Sequence, residues 1–225
     1  GAPGVGTTSI AVNVAVSLAQ TGKKVLFMEF NRNMPKVSYW YDLGHVDKGI
    51  DTCLKYLPAG KYEKVSEPII TSKELKKGNG SLIRNYKKLP DTLDFLLYSK
   101  NYVSDNSMDI DLSLSKELYL YLLFQKGYDI VVLDMPCDLK NQATINALVY
   151  SNQIYAVVTQ DVSSTGYHLY QVNELRKKGI DIQSKIAYII NRYEKADLNV
   201  KDIQEWIGAE KIFSIPDFNK EFINA

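Results

Sequence analysis

Four stretches of this chain, "KKVLFMEF", "YDIVVLDMP", "QIYAVVTQD" and "SKIAYIINRY", are nearly unbroken apolar runs of strand length. A strand with one wet face alternates apolar and polar residues, whereas a strand covered on both faces does not. Between these runs lie segments of helical periodicity. Ile10, Val14 and Leu18 recur on one face between Thr8 and Gln20, and Gly22 closes that helix. Buried strands alternating with helices predict an α/β fold: a mostly parallel, twisted sheet with helices on both faces. "DTLDFLLYS" and "KIFSIP" read as two further strands. Helices are predicted near 140–151, near 163–178 up to Gly179, and near 199–208. "SLSKELYLYLLFQKG" predicts an amphipathic helix with Ser115 as its cap. Residues 31–60 carry helical and turn signals around "VSYWYDLG". The lysine-rich stretch 61–90, broken by Gly-Asn-Gly, reads as a solvated surface excursion. There is no internal repeat.

At 225 residues, 45% of them hydrophobic and 24% charged, the chain can bury a substantial core as one domain over 1–225. Residue 1 already lies in a loop that normally follows a buried strand. The last residues, "IPDFNKEFINA", stop where another element begins, so the sequence reads as trimmed at both ends. A net charge of +1 gives no bulk attraction to nucleic acid. Cys53 and Cys137 are too few for a disulfide framework and read as small buried residues in a reducing compartment. His45 and His168 lack a metal-ligand spacing. No apolar run reaches the ~20 residues that cross a bilayer. With no export leader in view, the expected location is the cytoplasm.

The chemistry is concentrated in "GAPGVGTTSI" at the start. Gly1, Gly6 and Thr8 fit the phosphate-loop pattern G-x-x-x-x-G-K-[ST], but Thr7 stands in place of the lysine. A glycine-rich turn entering a helix aims backbone N–H groups and the positive end of the helix dipole at one point. Gly4 and Gly6 permit positive φ and close approach of a phosphate. Gly4, Val5, Gly6, Thr7, Thr8 and Ser9 are thus candidate nucleotide contacts, with Thr8 suited to Mg²⁺ and Ser9 to an α-phosphate. Without the lysine, binding loses a charge-assisted contact, about 1.5–3 kcal/mol. Hydrolysis suffers more, because charge grows in the transition state. Taken alone, the same residues also fit a plain strand-to-helix turn. The strand-terminal Asp134 of "YDIVVLDMP" strengthens the nucleotide reading as a carboxylate that holds the waters of a bound magnesium ion, although a buried aspartate there can equally cap a turn.

"GAPGVGTTSIAVNVAVSLAQTGKKVLFME", "YDIVVLDMPCDLKNQATINAL", "SNQIYAVVTQDVSST", "IAYIINRY" and "IFSIP" follow one another in the order of a MinD/ParA-type P-loop ATPase, which the chain resembles over nearly its whole length. The resemblance implies ATP and Mg²⁺ as cofactors and a homodimer. It places Asn191 and Arg192 by the adenine, and Pro216 and Asp217 along the base pocket. Asn191 also fits a simple end-of-strand turn. The departures matter as much. Ala2 replaces the family's signature lysine and Thr7 its loop lysine. Glu29-Phe30-Asn31 replaces D-x-D, which leaves Asn31 a poor holder of the attacking water. Asp134-Met135-Pro136-Cys137-Asp138 replaces D-x-P-x-G.

Loss of the loop lysine within otherwise kept glycines resembles the TadZ/CpaE branch, whose members localise Tad (Flp-type) pilus assembly at the cell pole. That resemblance implies an ATP-binding, weakly hydrolysing or inactive protein. It would act with pilus or secretion proteins, at a pole or the inner membrane face, and would reach the membrane only through partners or a tail. The alternatives are an active ParA/MinD-type ATPase for DNA partitioning or division-site placement, and a nucleotide-free scaffold. Some of the sixteen tyrosines can mark a partner surface, although most read as core or rim residues.

Overall fold

The computed structural model describes residues 2–31, 35–77, 86–100, 112–194 and 198–217. The chain divides into two compact units, Thr8–Ala147 and Gly1–Thr7 with Leu148–Ala225.

In the larger unit, α1 (Thr7–Gln20) leads into β1 (Val25–Glu29), the axis of a four-stranded sheet. β1 pairs in parallel with β3 (Leu93–Leu96) on one side and with β4 (Ile130–Asp134) on the other. Every residue of β1 is buried, and its side chains divide by the two-residue period of a strand. Val25 and Phe27 enter one core with Val12, Ala15, Leu93 and Phe95. Leu26 and Met28 enter a second core with Ile50, Leu57, Leu96 and Leu122. This two-sided burial is why the strand reads as a continuous apolar run. Each such side chain contributes about 1.5–3 kcal/mol on leaving water.

Short helices α2 (Lys36–Trp40) and α3 (Ile50–Tyr56) follow β1, then α4 (Tyr62–Ser66). The strand β2 (Ile70–Thr71) adds an antiparallel edge against β3, and α5 (Ser72–Lys77) continues from it. The lysine-rich stretch is therefore not a solvated excursion. Val65, Ser72 and Leu89 are buried, and Ile69 and Ile70 pack against the two cores. The Gly-Asn-Gly break lies outside the described residues.

α6 (Leu112–Leu120) relaxes into a π turn over Tyr121–Gln125. Ser115 is no cap: it lies inside α6, buried, and accepts a hydrogen bond from Asn146 Nδ2 at 2.7 Å. α7 (Gln142–Tyr150) follows β4. Cys53 is buried as expected, but Cys137 is only half-buried, because it falls in the polar turn after β4 rather than in a strand.

In the smaller unit, β5 (Ile154–Val158), β6 (Ile186–Tyr193) and β7 (Ile212–Pro216) form a parallel three-stranded sheet with β6 central. α8 (Val162–Lys177) connects β5 to β6, and α9 (Val200–Ile207) connects β6 to β7. Asp161 caps α8 by accepting from the backbone of Ser163 and Ser164. Asn199 caps α9 within a capping box completed by Asp202. His168 of α8 is buried edge-on against Tyr188 of β6, ring centroids 5.1 Å apart. Burial pushes its imidazole down to about 4. The sequence-based fold class holds: the sheets are parallel apart from the short β2 edge, and helices link the strands.

Candidate functional site

The glycine loop takes the predicted form. Gly4 has φ +82° and Gly6 has φ +94°, which side-chain-bearing residues rarely adopt. A Cβ at Gly6 would stand 2.4 Å from Asn191 Nδ2, so any side chain there would displace the Asn191 amide. Val5 is buried between the two glycines. Its carbonyl accepts a hydrogen bond from Asn191 Nδ2 at 2.8 Å. α1 begins at Thr7, which is half-buried, while Ser9 is exposed.

Asn191 reaches the loop because of a bulge. β6 and β7 keep register as far as Ile190 opposite Ser214, then resume at Tyr193 opposite Pro216. Three steps along β6 oppose two along β7, so one extra residue is inserted. Arg192 absorbs it at φ +56°, exposed, and the bulge re-aims the side chain before it. Pro216 is exposed at the end of β7, and Asp217 donates its backbone N–H to Tyr193 O at 3.1 Å. The smaller unit thus brings Gly4, Val5, Gly6 and Asn191 together and sets Arg192, Pro216 and Asp217 at the ends of its strands.

A second feature of this unit escapes sequence reasoning. Gln160, just past β5, donates from Nε2 to Glu194 O at 2.9 Å and to Leu198 O at 2.7 Å. Its Oε1 accepts from Glu194 N at 2.7 Å. One amide therefore holds both ends of the segment between β6 and α9.

In the larger unit, Thr8 and Asp134 are both buried. Asp134 ends β4 directly opposite Glu29 at the end of β1. Its Oδ2 is fully enclosed and has no hydrogen-bond partner among the described residues. Burial pushes the Asp134 carboxyl up to about 6, while the Thr8 hydroxyl and the Lys36 ammonium hold it from rising further. A buried, incompletely satisfied oxygen beside a hydroxyl suits a hard cation that takes oxygen ligands. Among the described residues no group of three or more His, Cys, Asp or Glu could hold a metal. A Mg²⁺ ion here would thus draw most of its ligands from phosphate and water, with Thr8 as the protein ligand and Asp134 behind it.

Glu29 anchors the helix that follows β1. Its carboxylate accepts from Val37 N at 2.9 Å, Ser38 N at 3.3 Å and Ser38 Oγ at 3.2 Å, tying the first turn of α2 to the end of β1. Burial pushes Glu29 up to about 7 against these donors, and the neighbouring Asp134 adds to the push. Asn31, two residues on, is half-buried.

A positive-φ glycine loop running into a helix in the one unit, and a buried strand-end aspartate beside Thr8 in the other, are each features of nucleotide-binding α/β proteins of the P-loop class. The chain belongs to the AAA domain family, whose model matches residues 2–187. That is a family of nucleotide- and magnesium-binding P-loop proteins, and the fold is that of its MinD/ParA-type members. The chain is similar to MinD in the MinC:MinD cell division protein complex of Aquifex aeolicus, at 21% identity and TM-score 0.70, covering 97% of this chain and 79% of that one. It is similar to a putative plasmid partition protein of Borrelia burgdorferi bound to AMPPNP, at 19% identity and TM-score 0.69, covering 97% and 84%. It is also similar to cobyrinic acid a,c-diamide synthase of Mycobacterium smegmatis with ADP and magnesium, at 14% identity and TM-score 0.64, covering 96% and 83%. No curated protein sequence matches the chain. Among the described residues no helix is long and apolar enough to cross a membrane.

Proposed function

We propose that this protein binds ATP with Mg²⁺, turns it over slowly or not at all, and serves as a positioning factor for a Tad/Flp-type pilus or related secretion machine. The observation that carries this reading is the glycine loop: Gly4 and Gly6 keep the geometry of an anion cradle while Thr7 fills the lysine position. The cradle binds through backbone N–H groups, which the exchange of lysine for threonine at position 7 leaves in place. Turnover needs a cation against the growing phosphate charge and a group to orient water, and Thr7 and Asn31 supply neither. Bound Mg²⁺ would supply charge neutralisation and orientation of the phosphates. Thr8 would hold it, Asp134 would accept from its surroundings, and Asn191 would hold the loop in shape.

The output would be recruitment of partners by the nucleotide-bound form, as a homodimer. The similar Aquifex protein stands in complex with MinC, which supports a partner-recruiting role. The pilus assignment is supported by the pattern of kept glycines and lost lysine. Calorimetry with Mg·ATP should show saturable binding, while phosphate release stays near background. Brisk release would return the protein to the active partitioning or division-site class, and absence of heat would leave a nucleotide-free scaffold.

A further inference from the structure

We propose that Lys36 supplies the cation that the phosphate loop lacks, balancing the β- and γ-phosphate charge of a nucleotide held at Thr8. This rests on the nucleotide-binding reading above. Lys36 opens α2, and the next two backbone N–H groups, Val37 and Ser38, are both clamped by the Glu29 carboxylate. Glu29 stands opposite Asp134 in the β1–β4 ladder. The clamp therefore fixes the start of α2 above the strand ends where Thr8 and Asp134 meet. Lys36 is the charge that lowers the Asp134 carboxyl against the push of burial. Six other lysines, at 48, 64, 76, 100, 177 and 201, are held in ion pairs. Lys36 makes no hydrogen bond or ion pair among the described residues, and Asp134 Oδ2 keeps an unfilled acceptor. Charge is thus present at the site but not consumed within it. A lysine reaching the phosphates from the segment after β1 does the work of one in the loop, because a compact ammonium acts as a point charge.

The test is calorimetry of the full chain with Mg·ATP, Mg·ADP and AMP, comparing the parent with Lys36→Gln, Lys36→Arg and Lys36→Gln/Thr7→Lys. Lys36→Gln should weaken ATP roughly tenfold, ADP less, and AMP not at all, since only the outer phosphates face the lost charge. Lys36→Arg should retain most of the affinity. Thr7→Lys should restore ATP binding in the Gln background. Equal ATP affinity for the parent and Lys36→Gln overturns the inference. So does an equal loss for ATP and AMP, which would make Lys36 a structural partner of Asp134. A parent that binds no nucleotide refutes the underlying reading instead, and the inference with it.

Discussion

Gly6→Ala puts the loop architecture to a quantitative test. The substitution carries two separable costs. At φ +94° an alanine is strained by about 1–2 kcal/mol. Its Cβ would also lie 2.4 Å from Asn191 Nδ2, so that side chain must swing away and release Val5 O. A buried carbonyl left without its donor costs about 1–3 kcal/mol. The single variant should thus lose about 2–5 kcal/mol of stability. In an Asn191→Ala background the hydrogen bond is already gone and the clash is relieved, so Gly6→Ala should cost only the strain. A double-mutant cycle by urea denaturation without nucleotide should return a coupling of about 1–3 kcal/mol between positions 6 and 191. Strictly additive costs would refute the claim that Asn191 shapes the loop. A neutral Gly6→Ala would refute the claim that Gly6 is required.

Thr7→Lys should tighten Mg·ATP binding by roughly tenfold, since a cation then faces the phosphates; phosphate release should stay slow because Asn31 is unchanged. No gain in affinity by calorimetry would mean the loop cannot place that side chain. His168, held neutral down to about pH 4 by burial, gives a pH signature. The unfolded imidazole takes its proton near 6.5, so the unfolded chain binds more protons between those values, and stability falls as pH drops through that window. Between pH 7.5 and 5 the loss from this residue should be about 2 kcal/mol. His168→Gln should flatten the dependence measured by chemical denaturation, and an unchanged slope would remove His168 as its source.

The strands were legible because two-sided burial leaves no room for polar residues. β1 divides its side chains between two cores, and β6 is buried along its first five residues, whereas β5 is buried only over Ala156, Val157 and Val158. β2 was not legible: two residues in a lysine-rich stretch carry no periodic signal, and their strand character comes from pairing with β3. Ser115 failed as a cap because a serine before an apolar run looks the same whether it begins a helix or sits inside one. In the site, the glycines and Thr8 could be read locally, since a loop entering a helix is a contiguous motif. The bulge that aims Asn191 depends on β7, more than twenty residues on. The Glu29 clamp and the bonds of Gln160 to the 194–198 segment likewise join positions that only folding brings together. Side chains that touch ligand tend to sit in such motifs, whereas those that hold them in place are recruited from anywhere in the chain.

The three hydrogen bonds of Gln160 bear on the cost of association. They fix Glu194 and the Leu198 carbonyl in the folded chain by itself, so the entropy of ordering those two residues is lost during folding rather than on ligand capture. A ligand meeting the end of β6 finds Glu194 and Leu198 already in place, and the free energy of a new contact to either goes into affinity instead of into ordering it. A glutamate at 160 would keep the length but lose both donors and set an anion against two carbonyls. Retaining a neutral amide at this position is therefore the condition for holding Glu194 and Leu198 before a ligand arrives.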